Sequence, residues 1–157
     1  MIIKKIFSST LYFLLFLYLI IFIPVLWGYK PLVIISGSME PILKVGGILY
    51  YKEIGTQDYK NNDIVVFKST KYLISHRIVE ITDNGFITKG DANKNIDSNK
   101  VYYDKALGIG TNWSIPYIGY YADFIYKNKW ILVIILIILI VNSRISRYMV
   151  EENEDNI

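Results

Sequence analysis

The sequence predicts a mainly β domain held between two membrane-seeking segments, and three observations carry that prediction. Two uncharged apolar stretches, Ile6 to Tyr29 and Trp130 to Ser143, lie near the ends of the 157 residues. Between them, short β-branched runs are separated by polar turn residues. No repeat of about 20 to 50 residues is visible, which argues against a solenoid or propeller. The middle stretch, 30 to 129, is long enough for one small domain with a modest core. Apolar residues make up 53% of the chain, and the two ends account for the excess.

The first apolar stretch follows Lys4 and Lys5 and runs for 24 residues. As a helix it measures roughly 36 Å, ample for a hydrocarbon core of about 30 Å. It closes on Pro24-Val25-Leu26-Trp27-Gly28-Tyr29 with no Ala-x-Ala-like cleavage site, so it is expected to stay as a signal anchor. Trp27 and Tyr29 suit the far interface. The two lysines put the N-terminus in the cytoplasm and the following domain outside.

Strands are expected over 31–35, 48–54, 63–68 and 72–81, with Thr56, Asn61 and Asn62 as turn residues between them. Asp83-Asn84-Gly85 is a hairpin turn into a strand over 86–89. Residues 91–100 are Asn/Asp-rich and read as a loop, 106–111 as a last strand before Ile115-Pro116-Tyr117-Ile118-Gly119.

Trp130 to Ser143 spans only about 21 Å as a helix, short for a crossing. Lys127 and Lys129 can snorkel outward, with Tyr120, Tyr121, Tyr126 and Trp130 as an interfacial belt. Arg144 and Arg147 then fall on the cytoplasmic side, before an acidic tail of Glu151, Glu152, Glu154 and Asp155. A second span is expected; the alternative is a helix lying on the membrane or on a partner. The division is therefore 1–29 anchor, 30–129 β-rich domain and 130–157 second helix with a short tail.

Charge and composition exclude several functions. The net charge is +3, and residues 30 to 129 interleave 13 Lys/Arg with 10 Asp/Glu, a solvated surface and not a nucleic-acid footprint. With no Cys there is neither disulfide nor thiolate chemistry, and one His argues against a zinc or haem site. No cofactor is expected.

Chemistry concentrates in Ser36-Gly37-Ser38-Met39-Glu40-Pro41, after the β-branched run Val33-Ile34-Ile35. Two serines at i, i+2 on an extended segment point to one side, so one can attack a carbonyl while the other helps hold the oxyanion. The plainer reading is a Ser/Gly/Pro turn. His76 follows 38 residues after Ser38, and Asp91 and Asp97 lie in the polar loop, where Asx turn formation is the competing explanation. A hydrolase needs a nucleophile, a base and a group that orients the base, and the order Ser, His, Asp supplies all three.

Four boxes occur in order: Ser36 to Pro41, His76-Arg77-Ile78-Val79, Lys89-Gly90-Asp91-Ala92-Asn93 and Ile115 to Gly119. Together they resemble the type I signal peptidases of the archaeal and endoplasmic-reticulum type, the branch with His where the usual bacterial enzymes use Lys. The resemblance covers roughly residues 30 to 120. It implies a small antiparallel barrel-like catalytic domain flanked by N-terminal and C-terminal transmembrane helices. The implied activity is a membrane-bound serine endopeptidase that removes N-terminal signal peptides from secreted and membrane preproteins.

Residue by residue, the resemblance makes Ser38 the nucleophile, His76 the general base and Asp97 the third member, with Asp91 close behind for that place. Ser36 and the Ser38 backbone N–H match the oxyanion hole. Met39 is expected beside the site or near the lipid, or else as a plain core residue. Small residues are implied at the positions one and three before the cut. Implied partners are signal peptides of preproteins and the lipid bilayer, with secretion machinery or complex subunits to be looked for. The implied location is the plasma membrane, or the reticulum membrane in a eukaryote, with both termini cytoplasmic. Two departures stand out: Gly46-Gly47 and Asn62-Asp63 occupy places where the family often has Gly-Asp.

Two rival readings remain. Lys68 or Lys71 could serve as base in a Ser-Lys dyad, since a buried lysine with lowered pKa can do so. Alternatively, the chain is a non-catalytic, membrane-anchored β domain that binds or scaffolds secretory precursors. Only Lys30 to Ile35 separate the first helix from Ser36, a reach of about 20 Å at most, which suits a substrate cut near the bilayer.

Overall fold

A computed structural model describes residues 2–55, 58–128 and 130–154, with side chains over 6–55, 58–128 and 130–145. The Thr56 turn, the snorkelling Lys129 and Asp155 of the acidic tail lie outside the described residues. So do the side chains of Lys4, Lys5, Arg147, Glu151, Glu152 and Glu154. The chain divides into a β unit, Phe22–Ala122, and a helical unit contributed by the two chain ends.

The β unit contains β1 (Lys30–Val33), β2 (Ile48–Lys52), β3 (Ile64–Lys68), β4 (Leu73–Thr82), β5 (Gly85–Lys89), β6 (Val101–Tyr102) and β7 (Ala106–Ile115). They form one sheet in the order β1-β2-β7-β3-β4-β5-β6, every neighbour antiparallel, curled into a half-barrel. The mainly β expectation holds in this form.

The period of two explains why β3 is a continuous apolar run. Ile64 and Val66 enter one core cluster with Ile34, Met39, Leu43 and Leu49. Val65 and Phe67 enter another with Tyr59, Ile78, Phe86 and Val101. Both faces of the central strand are buried, so no position on it is left for a polar side chain before Lys68.

Several boundaries differ from the sequence reading for identifiable reasons. β1 stops at Val33 because Ile34 turns to bond the facing turn, its N–H to the Gly47 carbonyl and its carbonyl to the Gly46 N–H. β7 runs to Ile115, past the expected end at 111, because it pairs on both sides, with β2 and with β3. β6 is only two residues long and gives no periodic signal. A helix, α2 (Gly119–Lys127), covers residues read as a tyrosine belt. It starts where the Gly119 N–H donates to the Gly46 carbonyl, and the Tyr120 ring lies so close to Gly46 that a Cβ there would come within 2.7 Å.

Asn62, one of the two departures, has φ 74°. That left-handed conformation favours glycine, and asparagine is among the few other residues that tolerate it.

α1 (Ile2–Phe22) lies in the helical unit up to Ile21, and the 3-10 turn that follows it, Ile23–Trp27, belongs to the β unit. Among the described residues, Ile6–Trp27 is the one helix long and apolar enough to cross a membrane on its own. α3 (Trp130–Glu154) extends beyond its apolar stretch for a total of 25 residues. Within the helical unit the Asn142 amide donates to the Ser8 hydroxyl at 2.5 Å.

Gly108 is one of the places in the sheet with no room for a side chain. At the β7 register shift, a Cβ on Gly108 would lie 2.2 Å from the Lys52 carbonyl oxygen. Gly108→Val is therefore expected to destabilise the protein by at least about 2 kcal/mol, because backbone and not a flexible side chain must yield. Thermal unfolding in detergent checks this; an unchanged Tm would contradict it.

Candidate active site

Ser38 lies in the turn that follows β1. Its neighbours hold it: Met39 is 1% exposed and Leu43 fully buried, both in the core cluster shared with β3. The Leu43 N–H donates to the Met39 carbonyl at 3.0 Å. Met39 packs in the core and also lines the cleft beside the serines.

His76 comes from the middle of β4, opposite Val65. β4 pairs with β3 up to Arg77 and with β5 from Arg77 onward, where Lys89 is the register partner. Because β5 ends there, the chain leaves the sheet at Gly90 alongside His76.

That departing loop completes the site. The Ala92 N–H donates to the Ser38 carbonyl at 2.9 Å, and a Cβ on Gly90 would come within 2.6 Å of the same oxygen. Glycine is required for this approach. Farther along, the Asp97 N–H donates to the Thr88 carbonyl at 2.8 Å, returning the loop to β5.

These anchors bring Ser38, His76 and Asp97 together. His76 Nε2 lies 3.1 Å from Ser38 Oγ, and Nδ1 lies 2.5 Å from Asp97 Oδ2. The Ser36 hydroxyl is 3.4 Å from that of Ser38, on the same side as the i, i+2 spacing predicts. His76 is 9% exposed, and its ring makes a T-shaped contact with Phe67, with ring centroids 6.3 Å apart. With Nδ1–H given to the carboxylate, Nε2 is left as acceptor for the serine proton. No lysine bonds the Ser38 hydroxyl among the described residues.

Asp91 does not reach His76. It takes two hydrogen bonds from Arg77, at 2.8 and 2.7 Å, and Arg77 also donates to the Asn62 carbonyl at 2.7 Å. The Asp91 hydrogen bonds and charge hold the Arg77 guanidinium above its usual pKa.

One participant was not read from the sequence. Thr88 is fully buried and its hydroxyl donates to Asp97 Oδ2 at 2.6 Å, the oxygen that also faces His76. A polar residue two positions after Phe86, on the inward face of an apolar strand, was the available signal.

A cleft of about 330 Å³ opens beside the serines, lined by Ile34, Ile35, Ser36, Ser38, Met39 and Leu73 among others. It can receive an extended apolar segment with a carbonyl directed at Ser38.

No protein-family model matches the chain. Among curated proteins, signal peptidase I W of Bacillus subtilis is 30% identical over 130 residues, covering 71% of this chain and 68% of that protein. The human signal peptidase complex catalytic subunit SEC11C is 35% identical over 88 residues, 52% of this chain and 43% of that one. A Saccharomyces cerevisiae SEC11 catalytic subunit is 32% identical over 112 residues, 62% and 66% of the two. The chain thus spans less than half the length of SEC11C but more than two thirds of the Bacillus protein. With this extent of similarity, the chain belongs to the type I signal peptidases of the endoplasmic-reticulum and archaeal type, serine endopeptidases that remove signal peptides from preproteins.

Proposed function

We propose that the chain cleaves signal peptides by a Ser-His-Asp mechanism, with Ser38 as nucleophile, His76 as general base and Asp97 as its orienting carboxylate. The observation that carries this reading is the unbroken hydrogen-bond chain Asp97–His76–Ser38. His76 Nε2 takes the Ser38 proton as Oγ attacks the scissile carbonyl. The Ser36 hydroxyl and the Ser38 backbone N–H hold the developing oxyanion. His76 then gives the proton to the leaving amine, and the C–N bond breaks. His76 then takes a proton from water as it attacks the acyl carbon, the acyl–Oγ bond breaks, and His76 returns that proton to Ser38 Oγ. Asp91, bonded to Arg77, serves to fix the Gly90–Asn93 loop and has no proton role.

In the same reading, residues 1–29 anchor the chain, 30–129 form the extracytoplasmic peptidase domain, and 130–157 supply a second membrane helix with a cytoplasmic tail. Substrates are signal peptides of preproteins at the bilayer surface. The named association of SEC11 with a signal peptidase complex makes complex subunits the partners to seek.

Membranes containing the protein are expected to trim a signal-bearing precursor, and Ser38→Ala to lose at least about 1000-fold in turnover. Loss of activity in both His76→Ala and His76→Lys supports the imidazole base; retained activity in His76→Ala would support the Ser-Lys rival. If wild type binds precursor and never cuts it, the scaffold reading replaces this one.

The two carboxylates separate cleanly. Asp97→Asn is expected to lower kcat about 10,000-fold at little cost in folding. Asp91→Asn should lower Tm and change kcat less than about tenfold, because it loosens a half-buried ion pair. Ser36→Ala is expected to cost about 100-fold in kcat, as for loss of one oxyanion donor.

Thr88 supports Asp97 in this scheme. Thr88→Val should reduce kcat about tenfold with KM little changed, and Thr88→Ser should restore it. A Thr88→Val enzyme with lowered Tm and unaltered kcat would reduce the residue to packing.

A further inference from the structure

A second, polar cleft of about 650 Å³ begins on the far side of His76, lined by His76, Asp97, Asn93, Lys94 and Asn99 among others. It shares Phe67, Ser69 and Asn99 with a neighbouring cleft of about 450 Å³ that Lys68, Lys100 and Lys105 line. Through these shared residues the two clefts adjoin, and together they offer one groove-like surface. Its chemistry differs from that beside the serines, where Leu32, Val33, Ile34 and Ile35 predominate.

The groove is electropositive. Its one carboxylate lining residue, Asp97, is occupied by His76 and Thr88. Lys105 has an ion-pair partner in Asp104, at 3.3 Å. Lys68, Lys94 and Lys100 have no acidic partner within ion-pair distance among the described residues. Cations gathered over a polar, amide-lined groove form a surface for an acidic peptide.

Resting on the Ser38/His76 mechanism, we propose that this groove binds the segment immediately after the cut and selects acidic residues there. The acyl half of the substrate is attached to Ser38 and fits the apolar cleft. The leaving amine is protonated by His76 Nε2, so the departing chain passes the imidazole and enters the polar groove. Aspartate or glutamate at about the second to sixth positions after the cut then faces Lys94, Lys68 and Lys100. Three solvent-screened contacts together amount to about tenfold in apparent affinity.

The test uses three precursors identical through the cut and differing in the five residues beyond the first after it: acidic, neutral or basic. The full-length protein in detergent should cleave the acidic one with a KM about tenfold below that of the basic one. High salt should erase the difference. The triple variant K68E/K94E/K100E should reverse the order, and Lys60→Glu, outside the groove, should leave it as in wild type. Equal KM values for acidic and basic precursors, or an order unmoved by the triple variant, would overturn the proposal.

Binding separates this claim from the mechanism. A fluorescent acidic peptide of the post-cut sequence should bind the Ser38→Ala protein more tightly than its basic counterpart. That difference supports the groove even if no precursor is cut, an outcome that would sink the peptidase reading instead. Equal binding of the two peptides overturns the groove.

Discussion

The site depends on the curl of the sheet. Ser38 follows β1 at one edge, while His76 belongs to β4, and β2, β7 and β3 stand between those strands. At the ordinary spacing of about 4.8 Å per strand, a flat sheet would keep β1 and β4 roughly 19 Å apart. The observed approach is 3.1 Å between side-chain atoms. A half-barrel with bulges in the β2–β7 and β3–β7 ladders bridges that gap, since bulges bend a strand and increase its twist. Close packing at Gly108 and the burial of Met39 and Leu43 hold the curvature and the serine turn together.

A second constraint follows from the pleat. His76 and Arg77 are consecutive on β4 and so point to opposite faces. Each has a carboxylate partner in the same loop, Asp97 for the imidazole and Asp91 for the guanidinium. The loop therefore straddles the strand, and the Gly90 clearance over the Ser38 carbonyl lets it do so. The arginine pair keeps the second carboxylate away from the imidazole and fixes the loop that carries the first.

This geometry explains what could be read in advance. The boxes around Ser38, His76 and Asp91 were legible because each combines a reactive side chain with turn or strand residues that constrain it. The choice between Asp91 and Asp97 was not legible, since both occur in an Asn/Asp-rich loop and only the β4–β5 register decides which faces His76. Thr88 was hidden because threonine is ordinary in strands, and its value lies in an inward position next to a carboxylate. β6 and α2 were missed for lack of pattern: two residues define no period, and a tyrosine-rich nonapeptide has no long apolar stripe. The end of β7 was hidden by the polar Asn112 and Ser114, which its pairing with β2 accommodates.

The imidazole bonded between Asp97 and Ser38 belongs to the one histidine in the chain. Spectroscopically, that makes the site self-labelled. In protein grown with 15N-histidine, the side chain contributes a single pair of ring-nitrogen resonances, from the two atoms that face Asp97 and Ser38. Tautomer, protonation and the response to a bound peptide become readable in an 18.3 kDa chain without assigning any other signal.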